Sequence, residues 1–334
     1  MSAVPAQMDA WANPTYGPAE GTQRRRVPTP RPNRGEVLLQ VRATALAAGD
    51  YHVMAGTPWL VKLMFGLTTL KQPIRGIEVA GRVISLGDDV ASELQDTEVI
   101  AELEGGGGLG EYAVVKADRV AIRPAEVEPS VAATLAVSGS TAAQAVDQAG
   151  LAPGCTALVL GASGGVGTFA VQLAKLAGAE VHATCGAANL QLIKEMGAST
   201  VFDYRSTDAG DLTPNTYDAI IDVRSDWPLG LSRRLLRPGG KLIMIGSAGS
   251  GHPVLGPIPR GIAGALGSIG SSRKSSLLMQ SVDHERLIRL LEQVRTKQLT
   301  PLIERTYAFD DARDALARVS SGRVVGKVVV ELDQ

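Results

Sequence analysis

Gly161-Ala162-Ser163-Gly164-Gly165-Val166-Gly167 decides the fold, because of what stands on either side of it. Before it runs Ala157-Leu158-Val159-Leu160, an apolar stretch that reads as a buried strand. After it, Val166, Ala170, Leu173, Ala174 and Ala177 share one helical face, and Gly178 is a suitable C-terminal cap. Within the turn, Ala162-x-Gly164-x-x-Gly167 is the dinucleotide fingerprint with alanine in the first glycine position. Gly164 lets the backbone approach a pyrophosphate, and Gly167 lets helix and strand pack closely. The amides at the helix N-terminus then face the anion. On this reading Ala162, Ser163, Gly164, Gly165, Val166 and Gly167 contact a cofactor.

Outward from that turn the same rhythm continues. Strands are expected at Glu180–Cys185, Thr200–Tyr204, Tyr217–Val223 and Lys241–Gly246, with helices between them, which is the parallel α/β signature of a doubly wound Rossmann sheet. An alanine-rich, helix-favouring stretch, Ser130–Val146, precedes it. The first third reads differently. Val37, Leu39, Val41 and Ala43 alternate with Gln40, Arg42 and Thr44, as in a half-buried strand, and strand-like runs follow at Glu78–Ser85, Glu98–Glu102 and Glu111–Val115. That part is β-rich, barrel or sandwich. Beyond Gly251 a Gly/Pro/Ser-rich stretch leads to helices near Asp283–Lys297 and Asp310–Ser320 and a last strand Val324–Glu331.

Composition removes several function classes. A chain of 334 residues is expected to form about two domains, with a ligand cleft between them. Lys plus Arg number 33 against 34 Asp plus Glu, for a formal charge of −1. Without a long basic stripe, nucleic acid is not an expected partner. Two cysteines, Cys155 and Cys185, make no CxxC pair and fit a reducing cytosol. The opening MSAVPAQMDAW lacks a basic segment followed by an apolar one, so export is not expected, and glycines interrupt the uncharged run Thr156–Ala174, so a membrane span is not expected either. One rival shares the deciding turn: Gly161-x-Ser163-x-Gly165 matches the nucleophile elbow of serine hydrolases. It would need a histidine partner, and His182 in a strand, His252 in a loop and His284 on a charged helix offer no evident one.

With these residues in view, the chain resembles the medium-chain dehydrogenase/reductase superfamily, in its zinc-free quinone oxidoreductase and enoyl reductase branch. The matching text is Pro28-x-Pro30-x-Pro32 leading into Gly35-Glu36-Val37, then Ala48-Gly49-Asp50-Tyr51-His52, Gly76-x-Glu78-Val79-Ala80-Gly81 and Gly110-Glu111-Tyr112-Ala113. It continues through Thr141-Ala142, the glycine turn, Asp203-Tyr204, Pro238-Gly239-Gly240 and Gly326-Lys327-Val328-Val329. The resemblance implies a GroES-like catalytic domain from residues 1–125 and 268–334, with the Rossmann domain at 126–267 between. It implies a nicotinamide near Thr141 and the turn Gly246-Ser247, and a homodimer. Substrate would enter beside Tyr51, His52 and the stretch Trp59–Leu67, whose Trp59, Met64 and Phe65 read equally as core. Where the branch usually has asparagine before Ala-Gly-Asp, this chain has Ala47.

The expected chemistry is hydride transfer from NADPH to an activated C=C of an enone or enoyl compound, or to a quinone. Ala47 keeps open a non-redox enzyme or a binding protein on the same scaffold. No metal is expected: zinc-containing relatives use cysteine in the segment matching Ala47–Asp50 and histidine where Ile77 stands. NADPH is preferred over NADH because no acid occurs between Glu180 and Glu195 to repel a 2′-phosphate. Asn189 closes that acid-free stretch as a cofactor contact, with Tyr204 by resemblance, nearby Arg205, and Arg323 as phosphate partners or solvated bystanders. For the proton that follows hydride, Tyr51, His52 and water are the candidates, while Asp50 is expected to fix its loop by accepting backbone hydrogen bonds. The expected residence is cytoplasmic.

Overall fold

Every residue of Thr156–Leu160 (β1) is buried, as a strand must be when helices cover both faces of its sheet. In the computed structural model, which describes residues 4–225, 227–246 and 252–332, β1 lies inside a six-stranded parallel sheet. The others are Glu180–Cys185 (β2), Thr200–Asp203 (β3), Tyr217–Asp222 (β4), Leu236–Ile245 (β5) and Lys274–Leu278 (β6). Their order is β3-β2-β1-β4-β5-β6, the doubly wound Rossmann arrangement. The order reverses between β1 and β4, and ligands of such sheets bind outside the strand ends at that reversal. The helix Gly165–Leu176 connects β1 to β2 with Phe169, Ala170, Val171 and Ala174 buried, and Gly178 behind it is left-handed at φ +86°.

Two of these elements depart from expectation. The strand β5 begins at Leu236, so Pro238-Gly239-Gly240 lies inside it, where the register against β4 shifts. Strand β6 and the helix Ile258–Gly267 before it occupy the Gly/Pro/Ser-rich stretch, for which no element was expected. Among the described residues, no helix is long and apolar enough to cross a membrane.

The β-rich part is a seven-stranded sheet in the order Ile303–Ala308, Lys327–Glu331, Glu36–Leu46, Glu78–Leu86, Glu98–Glu102, Val120–Ile122, with Tyr112–Lys116 also paired to Glu36–Leu46. Glu36–Leu46 is more deeply buried than a half-buried strand. Val37, Leu39 and Val41 enter one apolar cluster and Leu46 another, the second built with Met54, Leu316 and Val328. Helices over one end of the strand account for the difference.

The chain divides into a catalytic unit of Met1–Thr57, Val61–Ser140 and Val282–Gln334 and a cofactor unit of Pro58–Leu60 and Thr141–Ser281. These changes of unit fall later than the boundaries at 125/126 and 267/268 read from sequence. The reason is packing: the helix Pro129–Ala133 rests on the Glu36–Leu46 and Glu78–Leu86 strands, while β6 completes the parallel sheet.

Candidate active site

The glycine turn is tied to the neighbouring strand before it enters its helix. The Ala162 amide donates to the Thr184 carbonyl at 2.9 Å and the Gly161 amide to Thr184 Oγ1 at 3.2 Å. Gly164 is the N-cap, and the first helical bond runs from the Thr168 amide to the Gly164 carbonyl at 3.0 Å. The amides of Gly165, Val166 and Gly167 therefore precede the helical ladder and point out of the helix end. The two fingerprint glycines do different work. A Cβ at Gly167 would stand 2.2 Å from the Gly161 oxygen and 2.8 Å from Ala162 Cα, which no backbone tolerates. Among the described residues, a Cβ at Gly164 would meet only the Gly161 oxygen, at 3.6 Å. Gly167 is closed by protein and Gly164 opens on a cradle that a ligand can fill, so the residues present fit a pyrophosphate.

At the ends of β2 and β3 lies the second half of this surface. Gly186, Ala187, Ala188 and Asn189 form a tight turn closed by the Asn189 amide on the Gly186 carbonyl at 2.9 Å. A Cβ at Gly186 would be 3.7 Å from both Tyr204 Cε1 and Arg205 Nη1. The Arg205 guanidinium sits 5.1 Å from the centre of the Tyr204 ring, a cation–π pair above the acid-free turn. Cys185 ends β2 buried, and burial followed by the nearby Asp203 pushes its thiol up to about 11, so it stays protonated and inert. Gly246 follows β5, and Ser247 lies outside the described residues. Thr141 is buried, the second residue of the helix Ser140–Ala149 in the same unit. Arg323 belongs to the catalytic unit, exposed in the turn after Ala312–Ser320, its carbonyl accepting from Arg318.

In the catalytic unit, Tyr51 and His52 lie on the helix Ala48–Ala55. Its N-cap, Ala47, has no side-chain acceptor, so half of a capping box is missing. Asp50 supplies the other half: its Oδ2 accepts the Ala47 amide at 3.0 Å and its Oδ1 the Gly76 amide at 2.8 Å. Asp50 is almost wholly buried, and burial foremost raises its pKa against the opposing pull of the Ala47 and Gly76 amides and Arg75. It is a loop-fixing residue, as its place in the turn suggested. The Tyr51 and His52 rings are 5.5 Å apart and tilted. Burial lowers the His52 pKa from 6.5, and its Nδ1 is buried with no partner among the described residues, so the imidazole is neutral at physiological pH. Trp59 and Met64 are exposed, not core, and Phe65 is half-buried.

The neutral imidazole makes His52 a weaker proton source than its type implies. We expect His52→Gln to leave kcat/KM within about threefold, and Tyr51→Phe to lower it about tenfold or more if the phenol donates. An unchanged Tyr51→Phe would leave solvent as the donor. Because the folded His52 pKa lies below the unfolded one, the unfolded chain binds the proton first as pH falls from 6.5. Stability drops through that window, and His52→Gln should flatten the drop in pH-dependent unfolding.

Sequence reasoning missed one polar group in this unit. Glu78, Ser138 and Lys327 are fully buried together. Lys327 Nζ donates to Glu78 Oε1 at 2.5 Å and to Ser138 Oγ at 2.7 Å, and the Ser138 hydroxyl donates to Glu78 Oε1 at 2.8 Å. Glu78 Oε2 accepts the amides of Ser138 at 3.0 Å and Val137 at 3.3 Å. Those amides lie in a π-helical turn, Leu135–Gly139, that interrupts the stretch expected to be continuously helix-favouring. Two charged residues heading apolar strands, each just behind a glycine motif, were the available signal.

Ser163 has no place in a hydrolytic triad. Its backbone avoids the positive φ of a strained elbow, and among the described residues no histidine bonds it: His182 meets Tyr217 and Glu180, His252 caps its own turn, and His284 faces the Val120 carbonyl. A Rossmann sheet carrying an open glycine cradle, combined with a GroES-like sheet, instead defines a nucleotide-dependent oxidoreductase. Residues 33–125 match the alcohol dehydrogenase GroES-like domain, and residues 196–330 match the family described as zinc-binding dehydrogenase. A chloroplastic quinone-oxidoreductase of Triphysaria versicolor is 34% identical over 331 residues, covering 94% of this chain and 95% of its own. An NADPH-dependent alkenal/one oxidoreductase of Arabidopsis thaliana is 26% identical over 346 residues, 98% of this chain and 81% of its own. The solved structure of the quinone oxidoreductase from Coxiella burnetii superposes with a TM-score of 0.87 at 25% identity, over 98% of this chain and 100% of that one. The chain belongs to the medium-chain dehydrogenase/reductase superfamily, in its quinone oxidoreductase branch, and is an oxidoreductase of that superfamily. Members of this superfamily bind nicotinamide cofactors.

Proposed function

We propose that this protein transfers hydride from NADPH to an activated C=C of an enone or enoyl compound, or to a quinone, without zinc. The observation that carries the reading is the pair of open surfaces on one sheet: the Gly164 cradle at the end of β1 and the acid-free Gly186 turn under Tyr204 and Arg205. The amides of Gly165, Val166 and Gly167 would hold the pyrophosphate. Arg205 and Tyr204 would hold the 2′-phosphate, with Asn189 beside the ribose. NADPH, when bound, supplies the hydride. Tyr51 or solvent then donates the proton, with Asp50 keeping the Tyr51 helix in place through its two backbone bonds. The names of the alkenal/one reductase and quinone oxidoreductase relatives support the acceptor class.

The zinc-free reading rests on the residues at the positions where zinc-containing relatives hold ligands: no cysteine in Ala47–Asp50, and Ile77 where they have histidine. Cytoplasmic residence and a homodimer belong to the same proposal. The test is a screen of quinones and enones that follows nicotinamide absorbance, with zinc measured in the purified protein. NADPH consumption by an enone or quinone that survives chelation is expected. Stoichiometric zinc with activity lost on chelation would overturn the zinc-free reading. Firm NADPH binding with no acceptor oxidising it would favour the binding-protein alternative that Ala47 raises.

The cofactor preference has its own test. A charge-assisted bond to phosphate is worth about 1.5–3 kcal/mol. Arg205→Ala should therefore raise the KM for NADPH about tenfold or more and leave that for NADH nearly unchanged. Equal changes for both cofactors would remove Arg205 from the phosphate site.

A further inference from the structure

The chain beyond β4 brings a cation to the glycine turn, by a route invisible in the turn itself. Residues 161–167 contain no lysine or arginine. The Val223 amide donates to the Leu160 carbonyl at 3.1 Å, extending the β1/β4 pairing by one residue, so that Arg224 arrives beside Gly161. There the arginine stem crosses the glycine: a Cβ on Gly161 would stand 2.3 Å from Arg224 Cγ and 3.2 Å from its Cδ. Arg224 is exposed, and Gly161, at φ +81°, has a backbone that accepts no side chain easily.

The loop holding Arg224 is braced from below. Asp222 ends β4 fully buried, its Oδ1 accepting the Ser225 amide at 2.6 Å and its Oδ2 accepting from Arg260 Nη2 at 3.0 Å. Ser225 is held in the left-handed region at φ +58°, uncommon for a residue with a side chain. A bend fixed on both sides of Arg224, by the β1 pairing before it and the Asp222 turn after it, holds the stem over Gly161 and limits the conformational entropy left to lose on binding.

We propose that Arg224 is a further cofactor-binding residue, its guanidinium contacting the pyrophosphate of a dinucleotide seated on the Gly164 cradle. The inference rests on the dinucleotide reading above. Helix N-terminal amides offer a partial charge of about half a unit against the two charges of a pyrophosphate, so a guanidinium beside them supplies what the turn lacks. It contributes to NADPH and NADH alike, unlike Arg205.

Calorimetric titration of the intact protein with NADPH, ADP-ribose and adenosine 2′-monophosphate tests it, because the last ligand has no phosphate on the 5′ side. The variant is Arg224→Met, which keeps an apolar stem over Gly161 and removes the charge; Arg224→Lys is its partner. In Arg224→Met, Kd for NADPH and ADP-ribose should rise about tenfold or more, with adenosine 2′-monophosphate changed less than about twofold and thermal unfolding unchanged. Arg224→Lys should recover part of the loss. An unchanged Kd for ADP-ribose, or an equal loss for all three ligands, overturns the role of Arg224 while leaving dinucleotide binding intact. Failure of the unmodified protein to bind NADPH or ADP-ribose overturns both.

Discussion

Gly167→Ala is expected to destroy cofactor binding and to weaken the fold, whereas Gly164→Ala should do only the first. The added methyl at 167 meets three backbone atoms of the preceding turn, one at 2.2 Å and two at 2.8 Å, so β1 and its helix must separate. Overpacking of this kind costs about 1–3 kcal/mol of stability. It also displaces the amides of Gly165 to Gly167, and two hydrogen bonds to an anion are together worth about 3 kcal/mol, which is roughly a hundredfold in Kd. At 164 the methyl has room and the helix keeps its N-cap, so the same methyl obstructs only what approaches from outside. Denaturant unfolding and NADPH titration of both variants separate the cases. Wild-type affinity in Gly167→Ala would mean that the turn does not hold the pyrophosphate.

Lys327→Met should be the most destabilising single change in the catalytic unit. It leaves the Glu78 carboxylate buried with hydrogen-bond donors but no counter-charge, and breaking such a pair costs about 3–5 kcal/mol. Glu78→Gln should cost a comparable amount by stranding the ammonium. The double variant Glu78→Gln/Lys327→Met removes both charges and keeps an acceptor for the Ser138 hydroxyl, so most of the loss should return. A double-mutant cycle from urea unfolding measures the coupling. If the double variant is as unstable as the sum of the single ones, the pair is not a pair in any energetic sense.

The cofactor sheet was legible because its signals are local. Apolar runs of strand length, glycine caps such as Gly178 and the spacing Ala162-x-Gly164-x-x-Gly167 each act within a few residues, and Glu180–Cys185 falls where its pattern put it. The helix Ile258–Gly267 and strand Lys274–Leu278 were not legible for the opposite reason. One proline and three glycines dilute the helix signal, and Lys274-Ser275-Ser276 becomes a strand only because β5 offers it a parallel edge. The two most consequential side-chain groupings are also tertiary. Arg224 reaches Gly161 because β1 and β4 are neighbours, and Glu78 meets Lys327 because the Lys327–Glu331 and Glu78–Leu86 strands flank Glu36–Leu46. The matching text around Gly76 and Gly326 marked both charges without showing that they touch. Of the phosphate candidates, Arg205 belongs to the same unit as the parallel sheet and Arg323 to the other, an assignment that spacing alone does not make.

The pairing of Lys327–Glu331 with Glu36–Leu46 also sets an order of events during synthesis. Val328 pairs with Leu46, so the ribosome must add roughly 280 residues after Leu46 before that ladder can form; at about 5–20 residues per second, that is roughly 15 to 60 s. Through this interval the Leu46 side of the strand has an open edge, and Glu78 lacks its ammonium partner. The parallel sheet between them needs nothing beyond Leu278 and is complete first. A nascent chain arrested after Leu278 should therefore resist protease across the Rossmann sheet while its first hundred residues are still cut, and a chaperone that shields strand edges has its work at Glu36–Leu46.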